Sequence, residues 1–280
     1  VITKNKLISP FVKWVGGKRQ LLKEIEQELP KDLGRIKFYE PFVGGGAVFF
    51  HLQPHNAWIN DANTELVNTY EVVKNDVDGL IESLKTHRNE ADYFYEVRAL
   101  DREEGFSKLS KMERASRLIF LNKTCFNGLY RVNNSGEFNS PFGRYENPNI
   151  VNEPVLRAVS NFLNTYEVKI SNLDYADTLK EVGKNSFVYF DPPYHPVSDS
   201  SNFTGYVAGG WGSGDQERLK DVCDKLNEKG VKFLLSNSSV PLIHTLYKNY
   251  EIKTIKASRS INSVGSKRGD VDEVLIKNYD

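Results

Sequence analysis

Cysteine is nearly missing from this chain of 280 residues: Cys125 and Cys223 are the two it has. They have neither metal-ligand spacing nor a disulfide framework. That excludes a zinc module and a stapled secreted scaffold, and points to a reducing cytosol. Net charge is missing as well, with 37 Lys and Arg against 37 Asp and Glu. A balanced total gives no global attraction to nucleic acid or to a membrane surface. No apolar run reaches spanning length, and the opening VITKNKLISP has no apolar signal core. Neither a transmembrane helix nor a signal peptide is therefore expected. Internal repeats and low-complexity tracts are absent. So are the two common phosphate-cradling spacings, G-x-x-x-x-G-K-[ST] and G-x-G-x-x-G.

What is present is the composition of a soluble globular protein, 39% hydrophobic, 26% charged and 12% aromatic. The charge is unevenly spread. Lys4, Lys6, Lys13, Lys18, Arg19 and Lys23 precede the first acid, Glu24. Lys253, Lys256, Arg259, Lys267 and Arg268 form a second acid-free stretch. Each stretch is either a solvated face or an anion-binding surface.

Along the chain, residues 18–29 have a helical pattern that Pro30 ends. KFYEPFVGGGAVFFHL then has the pattern strand, glycine turn, helix, and AWIND is a short strand ending at Asp61. Together they predict the first strand–helix–strand unit of a parallel sheet. Residues 63–122 are helical in pattern. Residues 124–148, TCFNGLYRVNNSGEFNSPFGRYENP, follow neither period, and a loop or hairpin of this length is commonly a binding element. The alternation resumes with strands at EVKI and FVYF, a helix over 216–228, a strand at VKFLL and a helix over VPLIHTLYKNY. Two further strands at the end are joined by a basic loop. The seven strands predict a doubly wound α/β sheet with an antiparallel edge pair. A helical segment is inserted after the second strand.

Two places in this framework carry chemistry. Glu40 ends the first strand, and Gly44 and Gly46 sit in the turn that follows, where a glycine tolerates positive φ and close approach of a ligand. Asp61 ends the second strand, near the offset at which an acid meets a ribose diol. Without the spacing of a pyrophosphate binder, the arrangement suits a nucleoside lacking phosphates, such as S-adenosyl-L-methionine. Upstream, Trp14, Gly16, Gly17 and Lys18 form either a simple helix start or a second cofactor-contacting element, with the indole as a lid and the lysine for a carboxylate.

The second place is NSFVYFDPPYHPV, where a strand stops at Asp191-Pro192-Pro193-Tyr194. A plain strand exit accounts for the prolines but not for an acid before them and an aromatic after. An exocyclic amine of a nucleobase is a poor nucleophile because its lone pair is delocalised into the ring. The Asp191 carboxylate and the Pro192 carbonyl, fixed by proline geometry, would localise that lone pair. Tyr194 offers a face for an extruded base. His195 is not read as a general base, since the amine proton becomes acidic only after transfer and water takes it.

FVKWVGGKRQLL, FYEPFVGGGAVFF, FNGLYRVNNSGEFNSPFGRY and YFDPPYHPVSDSSNFTGY resemble, in this order and over nearly the whole chain, the Dam family of DNA adenine-N6 methyltransferases. The resemblance implies a class I methyltransferase fold with residues 1–62 and 149–280 catalytic and residues 63–148 inserted for target recognition. It implies S-adenosyl-L-methionine as donor, duplex DNA (usually GATC) as substrate and no metal, and it offers a cognate restriction endonuclease sharing the target as a candidate partner. By matching positions, Trp14, Lys18, Glu40, Gly44, Gly46, Asp61 and Asp191 serve the cofactor, and Asp191 through Tyr194 the chemistry. Lys13 reaches DNA and Phe126 wedges into the base stack. Asn127, Leu129, Arg131, Pro141 and Tyr145 read the target. Either Asn172 or Asp174 meets the cofactor's adenine, and GGWGSG at 209–214 resembles a flap. Two other readings keep the same residues: transfer to cytosine N4 or an amide nitrogen, and a nucleic-acid-binding module without turnover.

Overall fold

The computed structural model describes residues 4–14, 16–195, 211–258 and 270–280. The expected basic loop residues Arg259, Lys267 and Arg268 lie outside them, as do Gly209 and Gly210 and the tail of the DPPY motif from Pro196.

Seven strands form one sheet: β1 (Lys37–Glu40), β2 (Asn56–Asn60), β3 (Glu167–Ser171), β4 (Ser186–Phe190), β5 (Lys232–Ser238), β6 (Glu251–Ser258) and β7 (Asp270–Lys277). Their order is β3-β2-β1-β4-β5-β7-β6. The first five are mutually parallel, and β7 runs antiparallel between β5 and β6. From β1 the chain steps outward to β2 and β3, then returns to β4 on the other side of β1. The sheet order reverses there, and the crevice outside the carboxyl ends of β1 and β4 is the usual ligand position in such a sheet. Glu40 and Asp191 stand at those two ends.

The strand sequences explain their depth. β4 reads SFVYF and is buried throughout, as a central parallel strand covered on both faces must be. Its residues alternate between two cores. Phe187 and Tyr189 join Phe38, Ile59 and Leu234 on one face, while Val188 and Phe190 join Tyr39, Phe233 and Leu235 on the other. Each fully buried aromatic of this kind contributes roughly 2–3 kcal/mol through area removed from water.

The helices are α1 (Leu22–Gln27), α2 (Ala47–Leu52), α3 (Thr64–Asn75), α4 (Val77–Lys85), α5 (Ala91–Ala99), α6 (Lys111–Thr124), α7 (Glu153–Thr165), α8 (Ser213–Glu228) and α9 (Pro241–Leu246). Helices α3 to α7 share a continuous core with the first sheet face. Within them α6 is central: Ala115 through Asn122 are all buried. Its start is fixed by a capping box in which Ser110 and Glu113 satisfy each other's backbone amides.

Three helix expectations change. The helix over 18–29 divides into a 3-10 turn, Lys18–Leu21, and the short α1. Helix α8 begins at Ser213, so Gly212 to Gly214 of the expected flap belong to a helix start, with the Gly212 amide bonded to Asp215 Oδ2 at 2.8 Å. Helix α7 has no counterpart in the sequence reading.

Candidate active site

Asp191 follows directly on β4, and Lys18 comes to it from the 3-10 turn 173 residues earlier in the chain. Lys18 Nζ lies 2.8 Å from Asp191 Oδ1. The ammonium also donates to the Gly16 carbonyl at 2.7 Å and sits 4.5 Å above the centroid of the Tyr194 ring. Lys18 is 4% exposed, deep enough that its charge requires these partners. Burial pushes the Asp191 carboxyl up to about 6, against the opposing pull of Lys18. The sequence reading gave Lys18 to a cofactor carboxylate; here it is the counter-ion of Asp191.

The DPPY turn is held from outside at several further points. The Tyr194 hydroxyl donates to Glu273 Oε2 on β7 at 2.8 Å. Gln216, fully buried on α8, donates to the Pro193 carbonyl at 3.0 Å and accepts from Asn237 Nδ2 at 3.0 Å. Asn237 and Ser238 on β5 engage the His195 amide and carbonyl, at 3.4 and 2.8 Å. Among the described residues no donor takes up the Pro192 carbonyl. The turn is therefore fixed at Asp191, Pro193, Tyr194 and His195.

The glycine turn lies beside it. Gly44 and Gly46 both have positive φ, +50° and +72°. The space a Cβ would need is already filled by the protein: at Gly44 it would lie 2.9 Å from Trp14 Cδ1, and at Gly46 2.6 Å from the Tyr70 hydroxyl. These glycines thus admit Trp14 and Tyr70 to the turn, beyond whatever ligand they admit. Asp61 also works on the turn. One oxygen accepts from the Gly44 amide and the other from the Asn63 amide, each at 2.9 Å. Burial raises its carboxyl pKa, and those two amides oppose the rise.

Glu40 is 2% exposed, and its Oε2 has no hydrogen-bond partner among the described residues. Burial, reinforced by the charge of Asp191, holds its carboxyl well above the usual range. Of the two residues left open for adenine contact, Asp174 is engaged by Arg218 through both oxygens, at 2.7 and 2.9 Å. Asn172 donates to the Asp61 carbonyl at 2.8 Å and so borders the turn.

The irregular segment folds back on itself with two isolated antiparallel bridges, Cys125 to Phe142 and Val132 to Phe138. Phe126 is 54% exposed, and its amide bonds the carbonyl of the exposed Pro141 at 2.8 Å. Asn127 stands beside it with φ +57°. The half-buried Leu129 gives its carbonyl to the Ser140 hydroxyl. Arg131 is already occupied: Nε donates to Asn139 Oδ1 at 2.5 Å and Nη2 to the Asn139 carbonyl at 3.3 Å. Tyr145 receives Lys13 Nζ 5.8 Å over its ring, and its carbonyl accepts from Asn89.

Two contacts that sequence reasoning missed join this segment to the rest. Asn122 on α6, fully buried, accepts from the Lys13 amide and donates to the carbonyls of Lys13 and Gly128, at 2.8, 2.8 and 3.1 Å. Trp14 stacks on Tyr130, centroids 4.6 Å apart. A polar residue inside the apolar run RLIFLN was the available signal for Asn122, and a charge inside DEVLIK was that for Glu273.

Among the described residues, no group of acidic, His and Cys side chains is arranged to hold a metal ion, and no helix is long and apolar enough to cross a membrane. A family model described as D12 class N6 adenine-specific DNA methyltransferase matches residues 14–261. The chain is 44% identical over 282 residues to the type II methyltransferase M1.LlaDCHI of Lactococcus lactis subsp. cremoris, covering 100% of this chain and 99% of that one. It is 44% identical over 290 residues to the type II methyltransferase M.MjaIII of Methanocaldococcus jannaschii, covering 97% and 99%. It is 34% identical over 269 residues to the DNA adenine methylase of Escherichia coli K12, covering 95% and 93%.

Proposed function

This chain belongs to the D12 class N6 adenine-specific DNA methyltransferase family, and from there we propose that it methylates N6 of an adenine extruded from duplex DNA, within GATC, by direct in-line transfer from S-adenosyl-L-methionine. The observation that carries the reading is the Lys18–Asp191–Tyr194 cluster at the point where the sheet order reverses, beside the glycine turn.

The residues present fit the donor. The buried, unpartnered Glu40 oxygen suits an ammonium group. Asp61 keeps lone pairs beyond the two amides it holds, enough for a ribose hydroxyl. Bound there, the donor supplies an electrophilic methyl on a sulfonium. The protein's own part is to make the amine a nucleophile. Asp191 and the Pro192 carbonyl accept the two N6–H bonds, which draws the lone pair out of conjugation and toward the methyl. Lys18 holds Asp191 in place as its counter-ion, and Tyr194 stacks on the base. Nothing covalent is needed beyond orientation at about 3 Å.

Residues 63–148 serve as the target-recognition insertion between catalytic residues 1–62 and 149–280. Phe126 fills the gap left in the stack. Arg131 reads a guanine edge, and Leu129 and Pro141 meet thymine methyls. Asn127 and Tyr145 complete the reading surface, and Lys13 takes a phosphate. Two of the relatives are named type II methyltransferases, which supports a partner endonuclease that cuts the same sequence. The test is plasmid modification in a methylation-free host with base-resolution mapping. Modified adenine confined to GATC is expected. Modified cytosine, or adenine at another sequence, would overturn the corresponding part.

A further inference from the structure

Two carboxylates approach the catalytic turn, and Asp191 alone has a part in the chemistry so far. The other is Glu273. Because β7 runs antiparallel to β5, the early part of β7 lies at the carboxyl end of the parallel strands, and Glu273 pairs there with Ser238. Its neighbours Val274 and Leu275 are buried in the two cores. Glu273 is half-buried on an inner strand, a costly place for a charge without a donor. The donor it has is the Tyr194 hydroxyl at 2.8 Å. The same ring carries the Lys18 ammonium over its face, 4.5 Å from the centroid. Glu273 also acts electrostatically on Asp191, raising its carboxyl. A ring held at its hydroxyl by an acid, and at its face by a lysine, has little freedom to tilt. A carboxylate acceptor also leaves that ring richer in electrons, which favours a partner acquiring positive charge.

We propose that Glu273 is a positioning residue for methyl transfer: its carboxylate fixes the Tyr194 ring against which the target base stacks. The inference rests on the function proposed above and deepens it. During transfer the adenine amine becomes cationic until it releases a proton.

The test is a double-mutant cycle of Y194F and E273Q on the full chain, read in three ways. These are steady-state methylation, calorimetric affinity for the methyl donor, and the emission anisotropy of 2-aminopurine replacing the target adenine. Loss of a charge-assisted hydrogen bond is expected to lower kcat by about tenfold to a hundredfold. Donor affinity stays within about twofold, and the extruded 2-aminopurine tumbles more freely. The double variant is expected to be no worse than the poorer single one, because both remove the same interaction. Multiplying losses would overturn the inference. So would a Y194F enzyme with wild-type kcat and anisotropy, a result available even if E273Q does not fold. Wild-type protein that labels no adenine would overturn the proposed function and this inference together. An active wild type with multiplying losses overturns this inference alone.

Discussion

The catalytic turn and the irregular segment at 124–148 are built in opposite ways. Residues 191–195 carry little regular structure, yet side chains from the 3-10 turn, α8, β5 and β7 hold the Asp191 carboxylate, the Pro193 carbonyl, the Tyr194 hydroxyl and the His195 amide. The irregular segment is held by its own two bridges, by Asn122 at its base, and by Asp101, Arg102, Arg98 and Asn89, which bond the main chain of Phe138, Ser140 and Tyr145. Phe126 and Asn127, at its base beside the Cys125–Phe142 bridge, stand exposed. The lesson concerns tolerance. An in-line transfer fails if an acceptor moves by an ångström. A surface that reads a flexible duplex works by adapting to it. The turn is gripped by elements spread along the whole chain, while the exposed residues proposed as readers lie beside the segment's own bridges.

The largest effect expected from this contrast is at the rigid pole. Asp191→Ala removes the acceptor and leaves Lys18 buried with one partner fewer. Turnover should fall by at least about a thousandfold, while calorimetry shows donor binding only partly weakened. Substantial remaining activity would mean that the carbonyl alone orients the amine.

Asn122→Ala probes the hinge between the two regions. It orphans the Lys13 amide and two carbonyls, and should cost about 2–4 kcal/mol in denaturant unfolding. If the two regions are as unlike as described, target discrimination should suffer more than the chemical step in whatever protein folds. Equal losses would erase the distinction.

Arg131→Ala acts at the loose pole alone. It should cost about 1–3 kcal/mol of preference at one base pair, with kcat on the best sequence nearly kept. The existing Asn139 contacts sharpen this. Asn139→Ala releases Nε while the main-chain carbonyl keeps its bond from Nη2, and should broaden preference at that same base pair by less than the arginine variant does. Unchanged preference in both would remove Arg131 from the reading surface.

The smallest effect is a matter of pH. The Asp191 carboxyl, raised to about 6 by burial, accepts a hydrogen bond from the amine only when ionised. kcat/KM for the donor should therefore be level above about pH 7. It should drop about tenfold for each unit below about 6. The Asp191→Asn variant, neutral throughout, should show no such limb.

Much of this was legible in the sequence because it is local. Alternating apolar runs gave the seven strands, and FVGGGAV and DPPY marked the two turns by chain geometry alone. The helix α7 was also legible in principle, since Val155, Leu156, Val159, Phe162 and Leu163 form one apolar face. What was not legible is long-range. Lys18 finds Asp191, Asn122 finds Lys13, and Tyr194 finds Glu273 only after the sheet has closed. No period or propensity encodes a partner 79 or 109 residues away. What crowds the glycines was not legible for the same reason, because Trp14 and Tyr70 come from elsewhere in the chain.

The indole of Trp14 touches both the glycine turn at Gly44 and the Tyr130 ring of the irregular segment, so the two regions share one side chain. A shared side chain makes for thermodynamic linkage. If a ligand that displaces Tyr130 shifts Trp14, the affinity of the glycine turn changes by some factor. An occupant of that turn must then alter affinity at the irregular segment by the same factor. Reciprocity of this kind is measurable without a single catalytic turnover.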